Sequence, residues 1–266
     1  PVLWINDSTY APLIERTGWP SIYDVTDDWV LARGATRQME RQQRNDAAML
    51  RHVSEVVVCS PALAESRGRH RSVHLIPNGV ELDHLRAPTE RPVDLPAGPV
   101  VLYSGTLSAG RLDIELCARL CRAVAGRAAV VFVGPNSLTK EVALTLLEAG
   151  AVILGSRPYR DVPAYLQHAD VLVVPHQITP FTESLDPIKA REFMAVGRPV
   201  VTTPVAGFRG LGPPFVEADR DAFVDTVVAV LDRSSLAPGP GPLTGRPETW
   251  AEQATEFLAV LDAAAS

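Results

Sequence analysis

The 266 residues suffice for one large domain or two modest ones, and a hydrophobic content of 46% can furnish a sizeable core. Basic residues number 25 against 31 acidic, a net charge of −6; this argues against general nucleic-acid binding, which needs a basic footprint, but leaves room for one local basic pocket for a phosphate. No apolar run is long enough for a membrane span, no signal peptide is expected, and Cys59, Cys117 and Cys121 lack metal-ligand spacing, so they read as small buried hydrophobes in a reducing compartment.

The chain opens without an initiator Met on a strand-like run, 2–5 (VLWI), and a second strand is expected at 21–25 (SIYDV). A loop with possible capping residues follows (Thr26-Asp27-Asp28-Trp29), then a mostly exposed helix over 35–51 and a third strand at 55–59. Ser60-Pro61 is a good helix start, with a capping hydroxyl and a proline in the first turn, and that helix should run to about Gly68. A fourth strand, 73–76, ends in the turn Pro77-Asn78-Gly79. Residues 86–99 are rich in proline and charge and read as an interdomain linker.

The second half is more regular. Strands are predicted at 100–103, 129–133, 151–154, 171–174 and 199–202, alternating with helices at 111–124, 139–149, 161–168, 188–196 and 221–232. A Pro/Gly-rich loop, 237–247, precedes a last helix over roughly 248–264. Short apolar strands alternating with helices indicate a parallel sheet covered on both faces, whose ligands bind beyond the carboxyl ends of the strands.

Two segments carry the chemistry. Tyr103-Ser104-Gly105-Thr106 puts small residues directly after a strand, where backbone amides can approach an anion, and Arg111 at the expected helix start could clamp a phosphate; the plainer reading is a tight turn with a surface Arg. It is not a GxGxxG fingerprint. In 181–199 (FTESLDPIKAREFMAVGRP), Asp186-Pro187 looks like a helix cap, Lys189 falls in the first turn, and Glu192 shares its face three residues on. A carboxylate there can take both hydroxyls of a ribose while the helix start holds a diphosphate; otherwise it is a surface Lys–Glu pair. His176 follows a strand at the ligand edge and can equally be polar lining. Asp24, Asp27 and Asp28 have no nearby His or Cys and read as caps rather than metal ligands.

The sequence resembles the GT-B glycosyltransferases, in particular the large retaining family that includes sucrose synthases and mannosyltransferases. IPNGVELDHL (76–85), LYSGTLSAGR (102–111), YRDVPAYLQHADVLVVP (159–175) and DPIKAREFMAVGRPVVTT (186–203) are similar to that family's motifs, in order and at ordinary spacing. The resemblance departs where the family often has two Glu residues eight apart: Ser184 stands eight before Glu192, and Asp186-Pro187 replaces the usual glycines. The DPxK pattern resembles a bacterial subgroup that builds cell-surface polysaccharides, and YDVTDDW (23–29) resembles that subgroup's acceptor side.

The resemblance implies an α/β fold with two Rossmann-like parallel-sheet domains, the first incomplete: 1–85 as the rear part of an acceptor-side domain, 86–99 as linker, 100–247 as the nucleotide-sugar domain, and 248–266 as a helix returning to the first. It implies donor contacts at Gly105, Thr106, Arg111, His176, Ser184, Leu185, Asp186, Lys189 and Glu192, with Arg111 and Lys189 neutralising the departing diphosphate. No metal or separate cofactor is expected; the nucleoside-diphosphate sugar is the substrate, a glycan or lipid-linked molecule the acceptor, and the setting cytoplasmic with peripheral contact at the inner face of the membrane. A nucleotide-sugar epimerase of the same fold and a noncatalytic nucleotide-sugar-binding module stay open as alternatives. Residues 1–266 alone are expected to bind donor without catalysing transfer.

Overall fold

The computed structural model describes residues 1–31, 36–236 and 246–265. The chain divides into two compact units. The first comprises Pro1–Val80, Thr179–Pro187 and Glu248–Ser266; the second comprises Glu81–Ile178 and Ile188–Pro247.

The first unit begins with β1 (Leu3–Ile5), a 3-10 turn at Ser8–Tyr10, α1 (Pro12–Thr17), β2 (Ser21–Val25), α2 (Thr36–His52), β3 (Glu55–Val58), α3 (Pro61–Gly68) and β4 (His74–Leu75). Its strands are parallel, in the order β1-β2-β3-β4. Side chains alternate across a strand, so β2 and β3 feed two apolar layers. Tyr23, Val25, Val56 and Val58 pack with Ile14, Met49 and Leu63 on one face, while Ile22 and Val57 pack on the other with Val260 and Ala264 of the last helix. The Ser60 hydroxyl accepts the Leu63 amide at 3.1 Å, as the Ser-Pro start of α3 requires. The helix expected from 35 begins at Thr36 in the described residues; residue 35 lies outside them.

Buried charge also ties this unit together. Arg67 on α3 donates two hydrogen bonds to Asp28, at 2.8 and 2.9 Å, and one to Asp46 at 3.3 Å; Asp46 in turn accepts the Tyr23 hydroxyl at 2.9 Å. A buried Arg–carboxylate fork of this kind fixes the loop after β2 against α2 and α3. Asp24 accepts the indole of Trp4 at 3.0 Å. Asp24 and Asp28 therefore have structural partners, and among the described residues no group of three or more His, Cys, Asp or Glu is placed to hold a metal ion.

The second unit starts with α4 (Leu82–Arg86), β5 (Val100–Ser104), α5 (Ile114–Ala123), β6 (Ala129–Val133), α6 (Lys140–Glu148), β7 (Val152–Gly155), a 3-10 turn at Tyr159–Asp161, α7 (Val162–Gln167) and β8 (Val171–Val174). The chain then contributes α8 (Pro180–Glu183) to the first unit and resumes the second with α9 (Ile188–Val196), β9 (Val200–Thr202), β10 (Phe215–Glu217) and α10 (Phe223–Leu236). All strands are parallel, in the order β10-β9-β8-β5-β6-β7. Strands β5 and β8 are buried along their whole length, as their valine-rich runs predict. The expected loop 237–247 lies mostly outside the described residues, and no helix among those described is long and apolar enough to cross a membrane.

The final helix, α11 (Trp250–Ala265), belongs to the first unit. It is joined there by the turn after β4. The Val80 amide donates to Glu248 O at 3.0 Å, and an added Cβ on Gly79 would lie 2.5 Å from the Trp250 backbone nitrogen. Gly79→Ala must therefore push two backbone segments apart, at a cost of about 1–3 kcal/mol. We expect its melting temperature to fall by several degrees in a calorimetric scan; an unchanged midpoint would contradict this close approach.

Candidate functional site

From β5 the chain builds outward to β6 and β7; from β8, on the other side of β5, it builds outward to β9 and β10. The direction of winding reverses between β5 and β8. Loops leaving the carboxyl ends of two such strands diverge, and the crevice between them is where open α/β sheets bind ligands.

The loop after β5 forms a strap fixed at both ends. Toward β6, Gly105 N donates to Val133 O at 2.9 Å, Leu107 N to Pro135 O at 2.8 Å, and Ser137 N to Leu107 O at 2.9 Å. Toward β8, Gln177 N donates to Arg111 O at 2.7 Å, Asp113 N donates to Pro175 O at 2.9 Å, and Leu112 pairs with His176. Glycine is required at the first anchor. Gly105 and Gly134 have φ of 155° and 145°, and a Cβ on Gly134 would lie 2.0 Å from Gly105 O.

Arg111 sits within this strap rather than at a helix start. The helix expected from 111 begins at Ile114, because Asp113 accepts the Leu116 amide at 3.0 Å and so caps it. Tyr103, buried at the end of β5, donates its hydroxyl to Thr106 O at 3.1 Å and stands 3.4 Å from His176 Nε2. Thr203, just past β9, donates to His176 O at 2.8 Å, and Phe208 meets the His176 ring edge-on. Tyr103 and Thr203 thus set the position of His176; both lie in segments notable in the sequence, but this three-way contact spans strands far apart in the chain.

Burial, and then the nearby Arg111 charge, push the His176 pKa from its ordinary 6.5 down to about 3. The ring is neutral near pH 7. Between these two values the unfolded chain binds a proton that the folded chain does not, so this group lowers stability as pH falls from about 6.5 toward 3. We expect His176→Gln to lose less thermal stability than the parent between pH 7 and pH 4. Equal losses in paired melting curves would contradict this.

On α9 the expected pair is present, with its carboxylate buried and its ammonium partly exposed. Lys189 Nζ donates to Glu192 Oε2 at 2.5 Å, and Glu192 is only 3% exposed, so this is not a surface ion pair. The i, i+3 spacing on a helix brings the two together. A helix that leads into a strand parallel to β8 must start at the carboxyl edge of the sheet, which puts both residues on the crevice side. The Glu192 charge is also felt by Tyr159, whose hydroxyl burial, followed by Glu192 and Glu81, pushes up to about 12.

Ser184, Leu185 and Asp186 belong to the first unit. Ser184 O accepts the Ser60 hydroxyl at 2.7 Å, and Leu185 is buried. The Asp186 carboxylate accepts the Asn78 amide at 2.8 Å, and Asp186 O accepts the Asn78 side chain at 2.7 Å. The Cys59 thiol is raised to about 12 by burial and then by Asp186, Asp27 and Asp24, which makes it a poor nucleophile; Cys117 and Cys121 are buried as well.

Two parallel-sheet units, a strap of backbone amides with an arginine at the winding reversal, and a C-terminal helix placed with the first unit define a GT-B-type glycosyltransferase fold, related to the nucleotide-sugar transferases. Residues 98–233, just over half of the sequence, match the family described as Glycosyl transferases group 1, and the chain belongs to that family. It is 25% identical over 233 residues to TuaH of Bacillus subtilis (strain 168), provisionally named a teichuronic acid biosynthesis glycosyltransferase. That match covers 80% of this chain and 58% of TuaH, so the chain spans less than two thirds of its relative. Among solved structures, Anabaena HepE in complex with UDP and glucose superposes with a TM-score of 0.76 at 14% identity, covering 98% of this chain and 77% of that one. Sucrose-phosphate synthase from Thermosynechococcus elongatus superposes with a TM-score of 0.69 at 19% identity, covering 98% and 73%. At these identities the two structures speak for the fold alone.

Proposed function

We propose that the second unit holds a nucleoside-diphosphate sugar at the β5–β8 crevice, and that the protein transfers the sugar to a glycan or lipid-linked acceptor in cell-surface polysaccharide synthesis. The observation that carries this reading is the buried Glu192 carboxylate, held by Lys189 at 2.5 Å in the opening turns of α9. A carboxylate is acceptor-only, and a vicinal diol offers it two donors at matching spacing; the ribose of a nucleotide is such a diol. An ammonium has three protons, so Lys189 can hold Glu192 and still donate to a phosphate oxygen. The Arg111 guanidinium, carried on the strap after Gly105, adds positive potential where a diphosphate would lie. As the glycosidic bond to the donor breaks, negative charge grows on the leaving diphosphate, and fixed cations lower that barrier. TuaH's assigned place in teichuronic acid biosynthesis supports the polysaccharide setting.

Arg111→Ala and Lys189→Ala should each lower transfer by the full-length protein about 10²–10³-fold, the range for losing one charge-stabilising donor. The two side chains lie on different segments, so the losses should appear separately. Steady-state rates with the preferred donor measure them; near-parental rates in both variants would place the diphosphate elsewhere.

A further inference from the structure

Just beyond β8, Gln177 closes on the strap from its carbonyl side. Its side-chain amide donates to Leu112 O at 2.8 Å and to Ala109 O at 3.2 Å, and its backbone amide donates to Arg111 O at 2.7 Å. One residue thus takes three carbonyl oxygens, those of Arg111 and of residues on either side of it. The amide side of the same stretch is held from within. Ser108 O accepts the amides of Arg111 at 3.0 Å and Leu112 at 2.8 Å, and the Ser108 hydroxyl accepts the Gly110 amide at 3.2 Å. Residues 108–112 therefore form a single turn. Such a turn has no following turn to satisfy its carbonyls, which carry the negative end of its dipole.

Two observations bear on what this grip does. First, burial raises the Tyr103 hydroxyl and lowers the His176 ring, and in both the Arg111 charge is the next largest influence. Tyr103 lies near the end of β5 and His176 just past β8, so that charge stands at the carboxyl ends of the two strands that flank the crevice. Second, the chemistry of a carboxamide suits the task. Its NH₂ offers two donors, one for each carbonyl, and it brings no charge that would compete with the guanidinium. Without these bonds the peptide units around Arg111 are free to turn, and their oxygens have the wrong sign to sit beside a phosphate.

We infer that Gln177 is a positioning residue for Arg111: it holds the 108–112 turn so that the guanidinium, and not the carbonyl oxygens of the turn, faces the diphosphate of the donor. In this role Gln177 acts through Arg111 and touches no reacting atom. A charged group contributes most when its geometry is fixed before the ligand arrives, because nothing then has to be reordered on binding. The inference rests on the donor reading above and adds to it the residue that keeps the arginine in place.

The test is a double-mutant cycle on the 266-residue chain, read by calorimetric titration with whichever of UDP, GDP and dTDP the parent binds most tightly. Gln177→Met keeps the length of the side chain and removes both donors; Gln177→Glu keeps its shape and removes them too. Each should weaken binding about tenfold. In an Arg111→Ala background, Gln177→Met should change affinity by less than about twofold, since the position of an absent guanidinium no longer matters. A merely structural role would weaken the site equally with and without Arg111, and the two losses would multiply. Parental affinity in either Gln177 variant, or losses that multiply, would overturn the inference; a loss in Arg111→Ala alone would then leave the donor reading standing. Parental affinity in Arg111→Ala would place the diphosphate elsewhere and take the inference with it. Absence of binding by the parent to all three nucleotides would remove the donor reading itself.

Discussion

Glu192→Ala is expected to weaken binding of a nucleoside diphosphate by roughly tenfold to a hundredfold, from the loss of a buried hydrogen-bonded group worth about 1–3 kcal/mol. The sequence alone suggests little cost to the fold. The burial of Glu192, 3% exposed, and its hold on Lys189 argue for some cost to the fold. Truncation leaves a small void and a Lys189 ammonium, itself 30% exposed, that must turn to water. A modest fall in melting temperature should therefore accompany the loss of affinity. Glu192→Gln separates the two effects, since it fills the space but can accept on only one oxygen: stability should recover further than affinity. Calorimetric titration of both variants measures this, and parental affinity in Glu192→Ala would remove the residue from the site.

Gly134→Ala is expected to have the larger effect. An added methyl would lie 2.0 Å from Gly105 O, against backbone that cannot rotate away as a side chain could. The position also has φ of 145°, which an alanine adopts only with strain. Together these should cost about 3 kcal/mol or more. The strap after β5 must shift to relieve the overlap, carrying with it the amides from Gly105 onward. Diphosphate binding should drop below detection while the rest of the sheet stays folded. Gly126→Ala is the control. Gly126 also has a positive φ, 76°, but nothing lies within 4 Å of its added Cβ. It should lose some stability and keep full affinity. Equal affinity in the two variants would show that the approach of the β5 and β6 loops does not shape the site.

Much of the second unit could be read from residue order, because its strands are continuous apolar runs. The segment 171–174 matches β8, and 188–196 matches α9. The Lys189–Glu192 contact was equally legible, since helical periodicity alone brings residues three apart together. Short elements were not. Helices α1, α4 and α8 and strand β10 have too few residues for a periodic pattern, and α8 forms because Thr179 and Thr182 cap each other's backbone. The helix expected over 161–168 is present as α7, with Pro163 in its first turn; the 3-10 turn Tyr159–Asp161 just ahead of it is one of the short elements. Contacts between distant segments were hidden altogether. Nothing in the order of residues says that Gly134 rests on Gly105, that Thr203 holds His176, or that Asp186 takes its partner from Asn78, more than a hundred residues earlier.

The proposed transfer depends on a crevice between β5 and β8 that grips a nucleoside diphosphate. Isothermal titration of the parent chain with UDP, GDP and dTDP, repeated on Gly134→Ala, tests it directly. Saturable binding of at least one of the three is expected, with one nucleotide per chain, and it should be abolished in Gly134→Ala. Absence of binding by all three, or binding that survives unchanged in Gly134→Ala, would contradict it.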